Sequence, residues 1–158
     1  MYRITRNIEA SLIDYISKEL VTDGWENIRT EKSFANVYQE ETPCILVNAV
    51  DNRLQKKEIG NYKYLRFFVV NIRIFAINDG QRLDLSDWLF EKLESQDISY
   101  NEYTIKDGQV VDKVNSGNIC IWRFLDNRKE LVNTENLEKM DRYRHLLSFE
   151  VYVSEKGE

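Results

Sequence analysis

The sequence predicts an α+β domain: a mostly antiparallel β-sheet, two α-helices packed on one face, and a protruding β-hairpin arm. Three observations carry this. Residues 62–78 (YKYLRFFVVNIRIFAIN) form one long run of β-branched and aromatic side chains. Two segments, 6–21 and 84–95, place apolar residues at helical spacing. Residues 142–153 alternate apolar and polar with the period of a strand.

The first helix carries Ile8, Leu12, Tyr15, Ile16 and Leu20 on one stripe. Thr5 or Asn7 is the expected cap, and Asp23-Gly24 the expected stop. Residues 25–30 and 33–40 are weaker strand candidates, short and polar. Pro43 opens an apolar strand over 44–50, a position where proline is tolerated. Residues 51–61 then read as a charged hairpin tip or mobile loop, the expected arm. The long run follows. Extended, it would reach roughly 50 Å, two to three times an ordinary strand. Tyr64, Phe68, Val70, Ile72, Ile74 and Ala76 share the expected core face. Leu65, Phe67, Val69, Phe75 and Ile77 share the other, which Asn71 and Arg73 interrupt.

Asn78-Asp79-Gly80 is expected to stop this strand, and Asp84 to cap the second helix, with Leu83 and Trp88 as a hydrophobic staple. Leu85, Trp88, Leu89 and Leu93 form its apolar stripe. Residues 96–117 are the least regular, with a short hairpin turning at Asp107-Gly108. A strand over 118–125, a polar connection over 126–141 and the last strand over 142–153 complete the chain. In that last strand Leu147, Phe149, Val151 and Val153 are expected to face in, and Ser148, Glu150 and Tyr152 out.

A chain of 158 residues suits one domain and buries enough surface for its own core. Its net charge of −5 disfavours non-specific nucleic-acid grip, which needs Lys and Arg against phosphates. Phe67-Phe68 lies in an apolar run and lacks the glycines of an RNA-binding strand motif, so core is the expected role. Cys44 and Cys120 sit in apolar runs and read as buried reduced thiols. No apolar signal core or membrane-length run occurs, which makes an intracellular compartment the default.

Catalytic parts are missing. The one histidine, His145, has no nucleophile elbow to serve, and reads as satisfied or solvent-facing. One His and two distant Cys do not make a zinc site, and no glycine-rich phosphate loop occurs. No catalytic, metal or cofactor residue is therefore assigned. Asp84, Asp87, Glu91 and Glu94 run down one flank of the second helix. This flank is either a solvated face or a functional acidic stripe.

The order of elements resembles a known family. An amphipathic helix leads to Pro43-Cys44-Ile45-Leu46-Val47, then a charged hairpin and a long strand. A helix with Leu85, Asp87, Trp88 and Leu89 follows, and the last strand ends Phe149-Glu150-Val151-Tyr152-Val153. This layout is similar to the tail terminator (tail-completion) proteins of long-tailed bacteriophages, the minor tail protein U type. The resemblance spans about residues 5–153; residues 96–117 and 126–141 look like insertions. It implies a structural virion protein, made in the host cytoplasm, with no enzymatic step. The implied assembly is a homohexameric ring in the tail neck. It would contact the tail tube protein and the head-completion or connector protein, and DNA would pass through as cargo, with no membrane partner. Arg53, Lys56, Lys57 and Glu58 are then candidate subunit or tube contacts. Asp84, Asp87, Glu91 and Glu94 are a candidate lumen-facing stripe. On this reading, removing 53–58 leaves a folded chain that assembles poorly. Rival readings are another neck component (a head-completion or stopper protein), a small acidic intracellular adaptor, and a carboxylate enzyme using the 84–91 flank.

Overall fold

The computed structural model describes residues 3–32, 37, 43–56, 64–95, 97–131 and 143–155. Helix α1 (Ile4–Thr22) is followed by β1 (Arg29–Glu31), β2 (Cys44–Lys56) and β3 (Tyr64–Phe75). Then come α2 (Asp79–Ser95), β4 (Ile98–Lys106), β5 (Gln109–Lys129) and β6 (Arg144–Glu155). The strands form one six-stranded sheet in the order β1-β2-β3-β6-β5-β4. Among the described residues, only the short β1–β2 pair is parallel. The α+β class is thus as the sequence predicts.

The core follows the even-numbered stripe of β3. Phe68, Val70, Ile72, Ile74 and Ala76 are fully buried, against Leu147, Phe149 and Val151 of β6. Ile8, Leu12, Ile16 and Leu20 of α1 and Leu85, Leu89 and Leu93 of α2 close the same cluster. Both helices therefore lie on one face. The opposite face is partly covered: Val37, Cys44, Leu46 and Phe75 form a second, smaller cluster.

Helix α1 ends as expected. Gly24 adopts φ 76°, the Gly24 amide bonds Val21 O, and the Trp25 amide bonds Leu20 O at 2.9 Å. This paired arrangement satisfies the last carbonyls of the helix. Its start differs from expectation. Thr5 and Asn7 lie inside the helix, and the residue before its first turn is Arg3, with no side-chain cap. Asn7 instead spends its amide on the Tyr100 hydroxyl.

Helix α2 begins one turn earlier than the sequence suggests. Asn78 Oδ1 accepts from the Gln81 amide at 2.8 Å, and Gln81 Oε1 accepts from the Ile77 amide at 2.9 Å. These two bonds make a reciprocal cap. Asn78-Asp79-Gly80 thus stops the strand and starts the helix in one step, and Asp84 is interior rather than a cap. The Leu83–Trp88 staple goes with it. Leu83 is exposed, while the Trp88 indole donates to Asp23 and packs edge-on to Trp25.

Three stretches are more regular than the sequence suggests. Residues 51–56 are not loop: Asp51–Lys56 continues β2, paired with Val69–Tyr64 after a bulge at Val50. Residues 57–63, with the rest of the expected arm, lie outside the described residues. Residues 98–117 form two long strands whose turn, Asp107-Gly108, has positive φ at both positions (51° and 77°), as a two-residue hairpin loop requires. Residues 126–129 continue β5 against β6. The polarity of 126–129 hid a strand because its partner, not its own side chains, supplies the order.

The sheet edge at β4 is closed by α1. Ser11 Oγ donates to Asn101 O and accepts from Asn101 N, and Arg6 donates to Tyr103 O at 2.8 Å. An exposed strand edge invites pairing with other chains, and these side chains occupy it as far as Tyr103.

Close approach of β5 and β6 fixes one residue type. A Cβ on Gly117 would lie 2.1 Å from Ser154 O, a backbone atom that cannot swing aside. Gly117→Ala is expected to destabilise the fold by about 2 kcal/mol through forced strand separation. Urea titration checks this; a variant within a few tenths of wild type would contradict the packing.

Candidate functional site

Among the described residues, four places carry chemistry, three of them exposed and one buried. The first surrounds Glu150, on the sheet face opposite the helices. The pattern predicts Glu150 and Ser148 as outward-facing. They do face away from the helices, but both are buried. For Glu150 the reason is two guanidinium groups. Arg53 of β2 reaches Glu150 through Nε (3.2 Å) and an Nη (3.0 Å). Arg123 of β5 does the same at 3.0 and 3.2 Å. Paired guanidinium–carboxylate forks are the strong form of such bonds. Hydrogen bonds from Arg53 and Arg123 hold the Glu150 carboxyl down at about 2. Arg53 also stacks 4.4 Å above the Phe67 ring.

Beside this triad, β5 bulges between Ile121 and Arg123. Trp122 is the extra residue. Its ring meets Phe67 (5.4 Å) and Tyr152 (6.5 Å) on the outer face, yet stays 54% exposed. Arg53, a sequence-level contact candidate, therefore has a structural task within its own chain. Removing 53–58 would strip Glu150 of a partner as well as shorten β2. The Lys56 side chain, Lys57 and Glu58 lie outside the described residues.

The second surface is the outward flank of α2. Asp84, Asp87, Glu91 and Glu94 are all exposed there. The helix's two cations turn the other way. Arg82 is buried against Asp79 and His145, and Lys92 bonds Glu19 and Asp23.

The third is His145, at the start of β6. A guanidinium only donates, so Arg82 fixes the His145 Nδ1 lone pair at 2.8 Å. Nε2 then carries the proton and donates to Asn127 Oδ1 at 2.6 Å. Both nitrogens are committed, which leaves no lone pair for general-base work. Burial, then the Arg82 charge, push the imidazole below its usual 6.5, with Asp87 opposing. Burial also raises the Cys44 thiol to about 11, so it stays protonated. Cys120 is only half-buried, contrary to the sequence reading. Among the described residues, no group of three His, Cys, Asp or Glu is placed to hold a metal. Among them too, no helix is long and apolar enough to cross a membrane.

The fourth surface is the tip of the β4–β5 hairpin. Every residue over 104–114 is exposed. β5 joins β6 only from Gly117 onward, so this part pairs with β4 alone. It nevertheless carries Ile105 (37% exposed), Val110 (57%), Val111 (54%) and Val114 (53%). Ile105 and Val110 are opposed and share one face, Val114 opposite Glu102 lies on the other, and Val111 is the extra residue of a bulge, so both faces carry apolar side chains. The signal is visible in the sequence as a Val-Val pair that breaks alternation. A Val-Val pair also occurs in core strands, so the sequence alone does not mark these as exposed. At the hairpin's base, a cleft of about 270 Å³ opens against α1, lined by Ala10, Ile13, Tyr103, Ile105 and Val110. No protein-family model matches the chain, and no curated protein matches it.

Acid should destabilise the fold in two stages. Above pH 6.5 the folded and unfolded His145 are both neutral. As pH falls below that, the unfolded chain takes up a proton that the folded one refuses, so stability declines. Between 4.5 and about 2, unfolded Glu150 protonates before the folded carboxylate, and stability declines again. Urea midpoints against pH check both. His145→Gln should remove the first stage and Glu150→Gln the second; a wild-type midpoint flat from pH 7 to about pH 5 would contradict the histidine account.

Proposed function

We propose that this chain is a structural assembly protein, a tail terminator of a long-tailed bacteriophage. Copies close into a ring of about six. The ring caps the growing tail tube and presents the surface that joins the head connector, while DNA passes through. No bond is made or broken in this role.

One observation carries the reading: the hairpin tip over 104–114, which carries apolar side chains on both faces and is exposed at every position among the described residues. Exposed apolar patches on a soluble chain mark contact with another molecule. A hairpin that projects from a sheet and is apolar on both sides suits insertion between neighbours, as a ring of heterologous contacts requires. The element order of the terminator proteins supports the identity of the ring. His145, tied at both nitrogens, supports a role without acid–base chemistry.

Val111→Asp with Val114→Asp tests it. The positions are exposed, so the melting temperature should move by no more than a few degrees. The variant should stay monomeric at concentrations where wild type forms rings. It should also fail to halt growth of tubes assembled from the cognate tail tube protein. A variant that forms rings and stops tube growth as wild type does would overturn the assignment.

A further inference from the structure

We infer that the outer sheet face around Trp122 and Arg123 docks the acidic flank of α2 from a second copy of this chain. This rests on the ring proposed above and names the contact that closes it.

The patch needs an occupant. Trp122 sits outside the regular register because of the bulge, with 54% of its surface open. Phe67 and Tyr152 support its ring from below. Beside it, Arg53 and Arg123 share the one carboxylate of Glu150, so the triad keeps one surplus positive charge. The Arg123 side chain is 57% exposed and Arg53's 41%. A further carboxylate arriving there would continue an alternating chain of guanidinium and carboxylate groups. It would not leave a buried charge unpaired.

Charge complementarity selects the occupant. Helix α2 presents Asp84, Asp87 and Glu94 on its outward flank, with exposed Leu83 beside them. Its cations, Arg82 and Lys92, point inward and do not offset that flank. An acidic helix face edged by an apolar side chain fits a basic face centred on a tryptophan. Aromatic and arginine side chains are also the residues that dominate binding energy at interfaces.

Geometry fixes the symmetry. The helices pack on one face of the sheet, and the Trp122 patch lies on the other. One copy thus offers its two complementary surfaces on opposite sides. A two-fold dimer pairs a surface with itself, whereas this arrangement joins front to back. Such contacts propagate until a ring closes. On this assignment the acidic stripe lies between subunits and does not line the lumen.

Two single-surface variants test the inference. Trp122→Glu spoils the patch, and Asp84→Lys with Asp87→Lys spoils the flank. All three sites are exposed; Trp122→Ser replaces the glutamate variant if its thermal melt shows loss of fold. Mass is read by light scattering after size exclusion, across concentration and salt. Each variant alone should be monomeric. An equal mixture should reach a complex of twice the 18.9 kDa chain and stop, because each partner keeps one good surface. Rings of wild type should weaken as salt rises. Rings formed by both variants as by wild type would overturn the interface and leave the ring standing. If Trp122→Glu forms rings but no longer caps tubes, the patch belongs to the tube protein, and the inference falls. A wild type that is monomeric at every concentration, with or without tubes, would overturn the ring and the interface together.

Discussion

The fold depends on burying one stripe of β3. Phe68, Val70, Ile72 and Ile74 are fully buried between β2 and β6, beneath two helices. Full burial of each such side chain stabilises by about 2 kcal/mol. The stripe also sets the register, because a one-residue slip would turn it to the opposite face. Both helices need it. The apolar stripes of α1 and α2 both close on it, and the sheet curls far enough for α1 to seal the β4 edge with Ser11 and Arg6.

The other face solves its burial differently. At one end it is apolar, with Cys44, Leu46 and Phe75 around Val37. At the other it holds Glu150 between two arginines from strands on either side of the β3–β6 pair. That carboxylate ties β2 to β5 across the sheet. Its two forks leave a surplus charge at the surface, next to an open tryptophan. A device that stabilises the sheet thereby also shapes the surface proposed to meet a second copy.

Much of this was legible in the sequence, and the failures have physical causes. The β3 stripe, the α1 stripe and its glycine stop, the Asp107-Gly108 turn and the inward face of β6 follow from periodicity and turn chemistry. Those are local signals. The misreadings are non-local. Burial of Glu150 could not be read because the arginines that bury it are 97 and 27 residues away. Residues 51–56 and 126–129 looked like loop because their strand order comes from pairing. Asp84 reads as the start of α2 because Asn78-Asp79-Gly80 resembles a turn, although Asn78 is an equally good cap. Of the candidate site, the acidic flank could be read at helical spacing. Exposure of the hairpin valines could not, since a Val-Val pair reads the same in a core strand and on a bare arm.

The proposed role requires that copies of this chain close on one another. The direct measurement is mass in solution across concentration, by light scattering after size exclusion, with negative-stain images of the largest species. The proposed ring requires a concentration-dependent rise to a closed species of about six copies with a central hole. A chain that stays monomeric at every concentration, and stays off tail tubes when mixed with them, would contradict it.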